Sequence, residues 1–309
     1  MHYGAMIVGG SFAGLSAAMQ IARARRSVCV VDSGTPGNRF AAASHGFFGQ
    51  DGAPPLSMIA QARERLLAYP NVTFVAATAL AAAKNSSSGF LVTLDKAEQL
   101  STAKMVLAFG VHDELPDIPG LRARWGASVL HCPYCHGYEF GGQRLGVLYW
   151  MPLSAHQAQL IADWGPTTLF LNGDETLEDS ERARLQARSI AIESGHVIVL
   201  EGAALQLESV RLDGDRLAPI DALYLAPRTH MRSPLAGQLG CASDDGRRSC
   251  VTWNSLRLAS LIWVLCIFTE GWTPAMRMMT KRVKARSSCF IRMTTSWSWW
   301  PIPLPPARA

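Results

Sequence analysis

The sequence lacks both a long hydrophobic run and a recognisable secretory segment. The hydrophobic stretch Leu258–Phe268 has 11 residues, whereas a membrane-spanning helix needs about 20. Met1–Val8 runs directly into a glycine turn, without the charged and apolar regions of a signal peptide. We therefore expect a protein without a membrane partner that acts in the reducing cytoplasm, where a disulfide is catalytic rather than structural.

Charged residues are also scarce, at 17% of the chain against 49% hydrophobic residues. These proportions are typical of a soluble globular protein, and 309 residues favour two domains over one. Residues 1–240 carry 19 Lys and Arg against 21 Asp and Glu, while residues 241–309 carry 10 against 3. The net charge of +5 thus arises in the C-terminal part alone. We expect no nucleic-acid partner, because that part lacks the spacing of a basic amphipathic segment.

A zinc site is not expected either, although two cysteines lie three residues apart. Cys132 and Cys135 could form half of such a site, but no second CxxC and no HxxxH supplies the other ligands. The same spacing suits a disulfide that opens and closes. Two inert buried thiols are the remaining alternative. Redox chemistry is the interpretation that the pattern favours.

The chain opens with a pattern of strand, glycine turn, helix and strand. The apolar segment Tyr3–Val8 precedes the turn Gly9–Gly14, and Leu15–Arg25 has the periodicity of a helix. A second apolar segment, Ser27–Val31, ends in Asp32. This order predicts a βαβ unit that binds a dinucleotide, with a plain βα turn as the alternative.

Four residues of this unit have expected roles in such binding. Gly9 permits the turn, the small Ser11 lets the backbone approach a pyrophosphate, and Gly14 lets helix and strand touch. The helix N-terminus faces the phosphates. Asp32 is placed to accept hydrogen bonds from a ribose.

A long loop and an amphipathic helix follow the first βαβ unit. The loop begins at Ser33 and includes His45, Asp51 and Gly52, and a loop of this length usually wraps a ligand. A solvated crossover is the alternative. In the helix, predicted over Pro55–Tyr69, the residues expected to face the core are Met58, Ile59, Leu66 and Leu67.

A second βαβ pattern begins after a predicted linker, Val111–Leu121. Its strand Leu145–Tyr149 leads into Trp150–Ser154, a turn without glycine, whose bulky side chains would obstruct a pyrophosphate. Asp174 and Glu175 follow the next strand and would repel a 2′-phosphate. The unit therefore predicts the fold of a nicotinamide-binding domain, and NADPH binding is doubtful.

The glycine turn, the second Rossmann unit and the run Cys132–Glu139, which reads CPYCHGYE, together resemble the low-molecular-weight thioredoxin reductase family of FAD-dependent pyridine nucleotide-disulfide oxidoreductases. The run is most similar to that family's thioredoxin-reductase-like branch, which includes dithiol oxidases acting on epidithiol natural products. The resemblance covers roughly residues 3–245 and implies an α/β fold with two Rossmann-like domains, the second inserted in the first, and a homodimer. The expected divisions are an FAD domain over 1–111, an inserted NAD(P)-binding-like domain over 112–228, a return to the FAD domain over 229–246 and an atypical tail over 247–309.

The resemblance also implies where FAD lies. The adenosine ribose would lie at Asp32, the flavin along Arg39, His45 and Asp51, and the segment Ala108–Gly110 beneath the flavin. The cofactor-binding residues expected on this basis are Gly9, Ser11, Phe12, Ala13, Gly14, Asp32, Ser33, Arg39, His45, Asp51, Ala108 and Gly110.

Catalytic roles follow from the same resemblance. Cys132 would exchange with the substrate, and Cys135 would face the flavin and form the charge-transfer thiolate. A helix beginning at this pair would lower the pKa of a thiolate there. His136 stands where the family usually has Asp, and an imidazole can take or return a thiol proton; a surface histidine is the alternative. Glu139 is expected to cap a turn rather than to take part in the chemistry.

The expected activity is thiol–disulfide redox chemistry, with electrons passing between the flavin and the Cys132/Cys135 pair. The substrate would be a thioredoxin-like protein or a small dithiol or disulfide. Four alternatives remain open: reduction driven by NADPH, reduction driven by ferredoxin or flavodoxin, NADPH-independent oxidation of a dithiol with oxygen or a carrier protein as acceptor, and a flavin-free remnant that is inactive or only binds.

The family likeness stops after Gly246. Residues 241–309 hold six of the nine tryptophans and two of the 26 glycines, and the Gly-Asp strand that completes the FAD domain in the family does not follow. We hypothesise that the reading frame shifts near Gly246. The C-terminal part of the FAD domain is accordingly expected to be aberrant.

Overall fold

The computed structural model describes residues 1–85 and 89–241, together with the backbone of four strands between Ser243 and Phe268. All of these elements lie in the compact unit Met1–Glu270. The strands are β1 (His2–Tyr3), β2 (Ala5–Val8), β3 (Val28–Asp32), β4 (Val72–Ala76), β5 (Ala79–Lys84), β6 (Phe90–Leu94), β7 (Gln99–Thr102), β8 (Met105–Leu107), β9 (Val111–Glu114), β10 (Val129–Leu130), β11 (Leu145–Leu148), β12 (Thr167–Phe170), β13 (Ala191–Glu193), β14 (Val197–Glu201), β15 (Ser209–Leu212), β16 (Leu217–Pro219), β17 (Ala222–Leu225), β18 (Arg228–Met231), β19 (Ser243–Asp244), β20 (Arg248–Ser249), β21 (Ser255–Ser260) and β22 (Trp263–Phe268). The α-helices are α1 (Phe12–Arg23), α2 (Pro55–Leu67), α3 (Pro133–His136), α4 (Leu153–Ile161), α5 (Asp179–Ala187) and α6 (Leu235–Gln238), and single 3₁₀ turns cover Arg122–Arg124 and Asp213–Asp215.

The first half of the unit is built on a sheet with the strand order β21-β22-β8-β2-β3-β4. Strands β8, β2, β3 and β4 run parallel to one another. Helices α1 and α2 pack on one face of this sheet, and the second sheet, β1-β7-β6-β5, covers the other face together with α6. Burial on both faces explains why β2 and β3 are continuous apolar runs.

The second half repeats this plan with a parallel sheet of order β10-β17-β11-β12-β13. Helix α4 packs on one face, and the antiparallel sheet β14-β15-β16 covers the other. The predicted α/β fold with two Rossmann-like units is confirmed. We call the two assemblies the first half and the second half below.

The two halves are joined by a two-stranded antiparallel ribbon of β9 and β18. The sequence predicts a linker over Val111–Leu121, and the strand at its start, Val111–Glu114, was not predicted. The pairing strand comes from more than 100 residues further along the chain, so no local pattern indicates it. Across the ribbon, His230 Nε2 lies 2.6 Å from Glu114 Oε2.

Two helix predictions also need correction. Helix α1 begins at Phe12 rather than Leu15, because the glycine turn passes directly into helical geometry. Leu67 of α2 was expected in the core but is 45% exposed, whereas Met58 and Leu66 are buried. The helical period places Leu67 on the edge of the apolar face.

The described strands beyond residue 241 extend the sheet of the first half. Strands β21 and β22 form a hairpin, and β22 pairs antiparallel with β8. Most of the hydrophobic stretch Leu258–Phe268 therefore lies in these two strands. The rest of the predicted atypical tail lies outside the described residues, and the frame-shift hypothesis stays a prediction. Among the helices that are described, none is long and apolar enough to cross a membrane.

Candidate active site

The first βα turn is shaped by two positions that only glycine fits. Gly9 has φ = +109°, and a Cβ there would lie 2.3 Å from the carbonyl oxygen of Ala108. A Cβ on Gly14 would lie 1.8 Å from the carbonyl oxygen of Gly9. The start of α1 therefore sits directly against the ends of β2 and β8, and Ala108 borders the turn.

Asp32 lies at the end of β3 and faces this turn. Its Oδ1 accepts a hydrogen bond from the Gly10 N–H at 3.0 Å. Beside it opens a cavity of about 460 Å³. A second cavity of about 220 Å³ adjoins Ser33 and shares Asp32, Gly34 and Arg63 with the first. The larger cavity is lined by Gly10, Ser11, Asp32, Gly34, Pro36, Leu56, Ile59, Ala60, Arg63, Glu64 and Leu67.

These residues fit the adenosine and pyrophosphate portion of FAD. The Ser11 hydroxyl is buried and has no hydrogen-bond partner among the described residues, so a donor is free at the start of α1. The first turn of α1 contains no acidic residue, and the positive end of the helix dipole is open to an anion. Phe12 and Ala13 form the first helical residues, and the Phe12 ring stacks on Phe47 with centroids 5.2 Å apart.

The long loop after β3 carries the other expected FAD contacts of the first half. Arg39 donates to the Pro36 carbonyl at 2.9 Å, and its guanidinium lies 4.2 Å from the Phe40 ring centroid. Asp51 accepts from the Gly46 N–H at 2.8 Å. Gly110 has φ = +73° and open space at its α-carbon, so nothing crowds the segment after β8.

The cysteine pair lies at the start of α3, as predicted. Cys132 is the N-cap residue, and both cysteines are free, half-buried thiols. A hydrogen bond from the Cys135 side chain lowers the pKa of Cys132 to about 6, and the backbone N–H groups of Cys135 and Tyr134 act in the same direction. The same side-chain hydrogen bond, together with burial, raises the pKa of Cys135. Cys132 is therefore the thiolate of the pair near neutral pH, which suits it for nucleophilic exchange.

A contact between the halves brings three expected site residues together. His45 of the first half places Nδ1 3.5 Å from Asp51 Oδ1 and Nε2 3.4 Å from Glu139 Oε1. Its ring centroid lies 6.4 Å from that of His136. Burial lowers the pKa of His136, so the imidazole is neutral at pH 7 and can accept a proton. The carboxylate of Glu139, expected only to cap a turn, reaches across to His45.

The corresponding turn of the second half is closed. The Ser154 hydroxyl accepts from the N–H groups of Trp150 at 3.1 Å and Met151 at 3.3 Å. The Met151 side chain is buried, and the Arg228 guanidinium lies 4.9 Å from the Trp150 ring centroid. These two backbone N–H groups of the turn are therefore already hydrogen-bonded to the helix that follows. Asn172, just after β12, accepts a hydrogen bond from the Val197 N–H through its side chain at 2.8 Å.

Helix α2 supplies a wall of the cavity that was not predicted from the sequence. Arg63 lines both cavities, and its guanidinium lies 3.6 Å from the Phe74 ring centroid. Arg63 and Glu64 lie on the polar face of an amphipathic helix. Their sequence pattern is the same for a cavity wall and for a solvated surface, so it does not indicate the cavity. Among the described residues, no group of three or more His, Cys, Asp or Glu is arranged to hold a metal ion.

Known proteins similar to this chain are oxidoreductases of one family. Residues 3–144 match the family described as pyridine nucleotide-disulphide oxidoreductase. The oxidoreductase of Agrobacterium tumefaciens has 40% sequence identity and a TM-score of 0.75, over 80% of this chain and 82% of that one. The chain belongs to the pyridine nucleotide-disulphide oxidoreductase family, in its thioredoxin reductase-like group.

Two further relatives extend the comparison within this family. HlmI has 36% identity and a TM-score of 0.76, over 82% of this chain and 80% of that one. The protein named thioredoxin reductase tcpT of Claviceps purpurea is 38% identical over 181 residues, which is 56% of this chain and 56% of tcpT. The chain thus spans little more than half of the length of this curated relative. Membership of the family implies flavin binding.

Proposed function

We propose that this protein is an FAD-dependent thiol–disulfide oxidoreductase whose reacting groups are the thiols of Cys132 and Cys135. The observation that carries the proposal is the cysteine pair at the start of α3, whose two thiols have pKa values shifted in opposite directions. Cys132 is a thiolate that accepts a hydrogen bond from the Cys135 thiol. The contact of His45 with Glu139 supports it, because it places the first half against the segment that carries the thiols.

FAD, when bound, supplies a two-electron acceptor and donor for the cysteine pair. The turn Gly9–Gly14 would hold its pyrophosphate, and Asp32 its adenosine ribose. In this proposal the remaining contacts are those expected from the sequence, at Ser33, Arg39, His45, Asp51, Ala108 and Gly110.

The chemistry at the cysteines is thiol–disulfide exchange. A substrate thiolate attacks Cys132 Sγ of the oxidised pair, the Cys132–Cys135 bond breaks, and Cys135 leaves as a thiolate that takes a proton. The second substrate thiolate then attacks the substrate sulfur of the mixed disulfide and releases Cys132. Two electrons pass from the substrate dithiol to the cysteine pair. Neutral His136, next to Cys135 in the chain, is the base that we propose for the thiol protons that this exchange releases.

The direction we favour is oxidation of a small dithiol without NADPH, with oxygen or a carrier protein as the final acceptor. The closed Trp150 turn supports this direction, because its N–H groups already bond to Ser154. Asp174 and Glu175 lie beyond β12, where a 2′-phosphate would need positive charge. Reduction of a thioredoxin-like protein by NADPH is the second candidate, supported by the naming of tcpT as a thioredoxin reductase.

Mixing the purified full chain anaerobically with either dithiothreitol or NADPH distinguishes the two directions. We expect a yellow protein whose flavin absorbance bleaches rapidly with dithiothreitol and much more slowly with NADPH. Rapid bleaching by NADPH would contradict the oxidase direction. A colourless protein that takes up no added FAD would overturn the proposed function and favour the flavin-free remnant.

Serine variants of the cysteines provide the matched controls. Cys135→Ser should abolish bleaching by dithiothreitol while the flavin stays bound. Cys29→Ser should leave bleaching unchanged, because Cys29 is buried in β3. If both variants bleach like the parent chain, the pair does not carry the electrons.

Three structural expectations belong to the same proposal. The domain divisions after residues 111 and 228 fall at the ribbon of β9 and β18, which supports them. A homodimer in the cytoplasm is expected from the family resemblance. Sedimentation of the purified chain tests the dimer.

A further inference from the structure

Arg63 of α2 is a cation between the two cavities beside the glycine turn. It lines the cavity of about 460 Å³ and the cavity of about 220 Å³, which also share Asp32 and Gly34. In the part of the chain that the structure describes, the Arg63 guanidinium makes no hydrogen bond and has no carboxylate within ion-pair distance. Its N–H donors are therefore open to a ligand.

The Phe74 ring supports one side of this guanidinium. Phe74 belongs to β4, and the guanidinium carbon of Arg63 lies 3.6 Å from the centroid of its ring. At this distance the cation is in contact with the face of the ring. A guanidinium is planar, so the Phe74 ring covers one of its faces, and the opposite face can receive a second flat group.

The order of the groups in FAD brings its adenine to Arg63. In the proposed function the pyrophosphate lies at the turn Gly9–Gly14 and the ribose at Asp32, and the adenine is attached to the ribose on the side away from the pyrophosphate. The smaller cavity is lined by Asp32 and by residues 76–78, which lead from β4 into β5, but not by the turn. A base that extends from Asp32 toward this cavity passes Arg63, which lines both.

We propose that the guanidinium of Arg63, supported by Phe74, stacks on the adenine of FAD and makes the site selective for FAD over FMN. The inference rests on the proposed function, because it takes the glycine turn and Asp32 as the FAD site. A planar cation attracts the negative face of an aromatic base. Arg63 is the one cationic side chain among the described residues that line the two cavities. FMN lacks the adenosine and cannot use this contact.

The test compares the binding of FAD, ADP and FMN to the apoprotein of the full chain. Flavin fluorescence follows the FAD and FMN titrations, and isothermal calorimetry follows the ADP titration. We expect Arg63→Ala to weaken the binding of FAD and of ADP about five-fold each and to leave the affinity for FMN unchanged. Equal weakening of FMN would mean that Arg63 acts through the structure of the site, and it would overturn the proposal.

Arg63→Lys separates stacking from charge. Lysine keeps the positive charge but lacks the planar group, so we expect a loss of FAD affinity close to that in Arg63→Ala. Full FAD affinity in Arg63→Lys would indicate an ion pair with the pyrophosphate and would contradict the stacking. The lysine stem can still cover Phe74, so this variant decides the question if Arg63→Ala yields no folded protein.

Arg65→Ala is the matched control. Arg65 lies on the same helix and lines neither of the two cavities. Its removal takes away the same charge and should leave the affinities for all three ligands unchanged. Equal losses in Arg63→Ala and Arg65→Ala would show a general effect of charge and would refute the role of Arg63.

The ADP titration needs neither flavin nor turnover. A chain that binds ADP through Arg63 but takes up no FAD would refute the proposed function and support the adenine contact. A chain that binds FAD and is bleached by dithiothreitol, but whose Arg63→Ala variant binds FAD and ADP like the parent, would leave the proposed function standing and overturn the role of Arg63.

Discussion

The turns after β2 and β11 occupy the same place in two parallel sheets, yet they leave different groups open to a ligand. After β2, Gly9 and Gly14 bring the backbone close to the helix, and the Ser11 hydroxyl has no hydrogen-bond partner in the part of the chain that the structure describes. After β11, the Ser154 hydroxyl accepts hydrogen bonds from the N–H groups of Trp150 and Met151, which are then not open to a ligand. Two turns at the same place in the same kind of fold thus offer different groups to a dinucleotide.

The cysteines of the two halves also differ, in the pKa of their thiols. Cys29 lies within β3, and burial raises its pKa to about 11. Cys132 lies at the start of α3, and hydrogen bonds to its sulfur lower its pKa to about 6. The first half thus combines an open glycine turn with a buried thiol of raised pKa, whereas the second half combines a closed turn with a thiol of lowered pKa.

The largest effect that we expect is in thiol reactivity between the halves. At pH 7 the thiolate fraction of Cys132 should exceed that of Cys29 by about 10⁴-fold, given pKa values on either side of neutrality. Labelling of Cys132 by iodoacetamide in the reduced chain should rise with pH through about 6 and then level off, because only the thiolate reacts. Peptide mass spectrometry measures both sites. Labelling of Cys29 at a comparable rate in the folded chain would contradict the contrast.

Closing the first turn should have the next largest effect. In Gly14→Ala the new Cβ meets the Gly9 carbonyl oxygen, and we expect a loss of stability of about 1–3 kcal/mol together with loss of bound FAD. Gly146→Ala is the control in the second half, since a Cβ there meets only side chains, at 2.9 Å. It should lower the melting temperature but retain FAD. Flavin absorbance relative to protein absorbance measures both variants, and FAD retention in Gly14→Ala would show that the turn is not the binding site.

Parts of this architecture follow from local sequence alone. Alternation of apolar strand, glycine turn and helix predicts the unit from Gly9 to Asp32, and the CxxC spacing predicts redox thiols at a helix start. The β9–β18 ribbon, the contact of Glu139 with His45 and the cavity wall of α2 could not be predicted this way. Each depends on residues far apart in the chain, and neither propensity nor periodicity records such pairs.

The smallest effect is expected from the polar residues Asp32, at the end of β3, and Asn172, just after the corresponding strand β12. Asp32→Ala removes the acceptor of the Gly10 N–H and should weaken FAD binding about ten-fold, or about 1.4 kcal/mol. Asn172→Ala removes the acceptor of the Val197 N–H and should leave FAD affinity unchanged. Titration of the apoprotein with FAD, followed by flavin fluorescence, measures both. Equal losses in the two variants would mean that Asp32 acts through stability and not through the ribose.

His45 has a consequence for how the two halves can be observed. Its imidazole lies between a carboxylate of its own loop and one that follows the cysteine pair. If the halves separate, the Glu139 carboxylate moves away from His45, and the Asp51 carboxylate stays beside the imidazole. The ring-nitrogen chemical shifts of this one histidine, in ¹⁵N-labelled protein, therefore report whether the segment that carries the thiols lies against the first half.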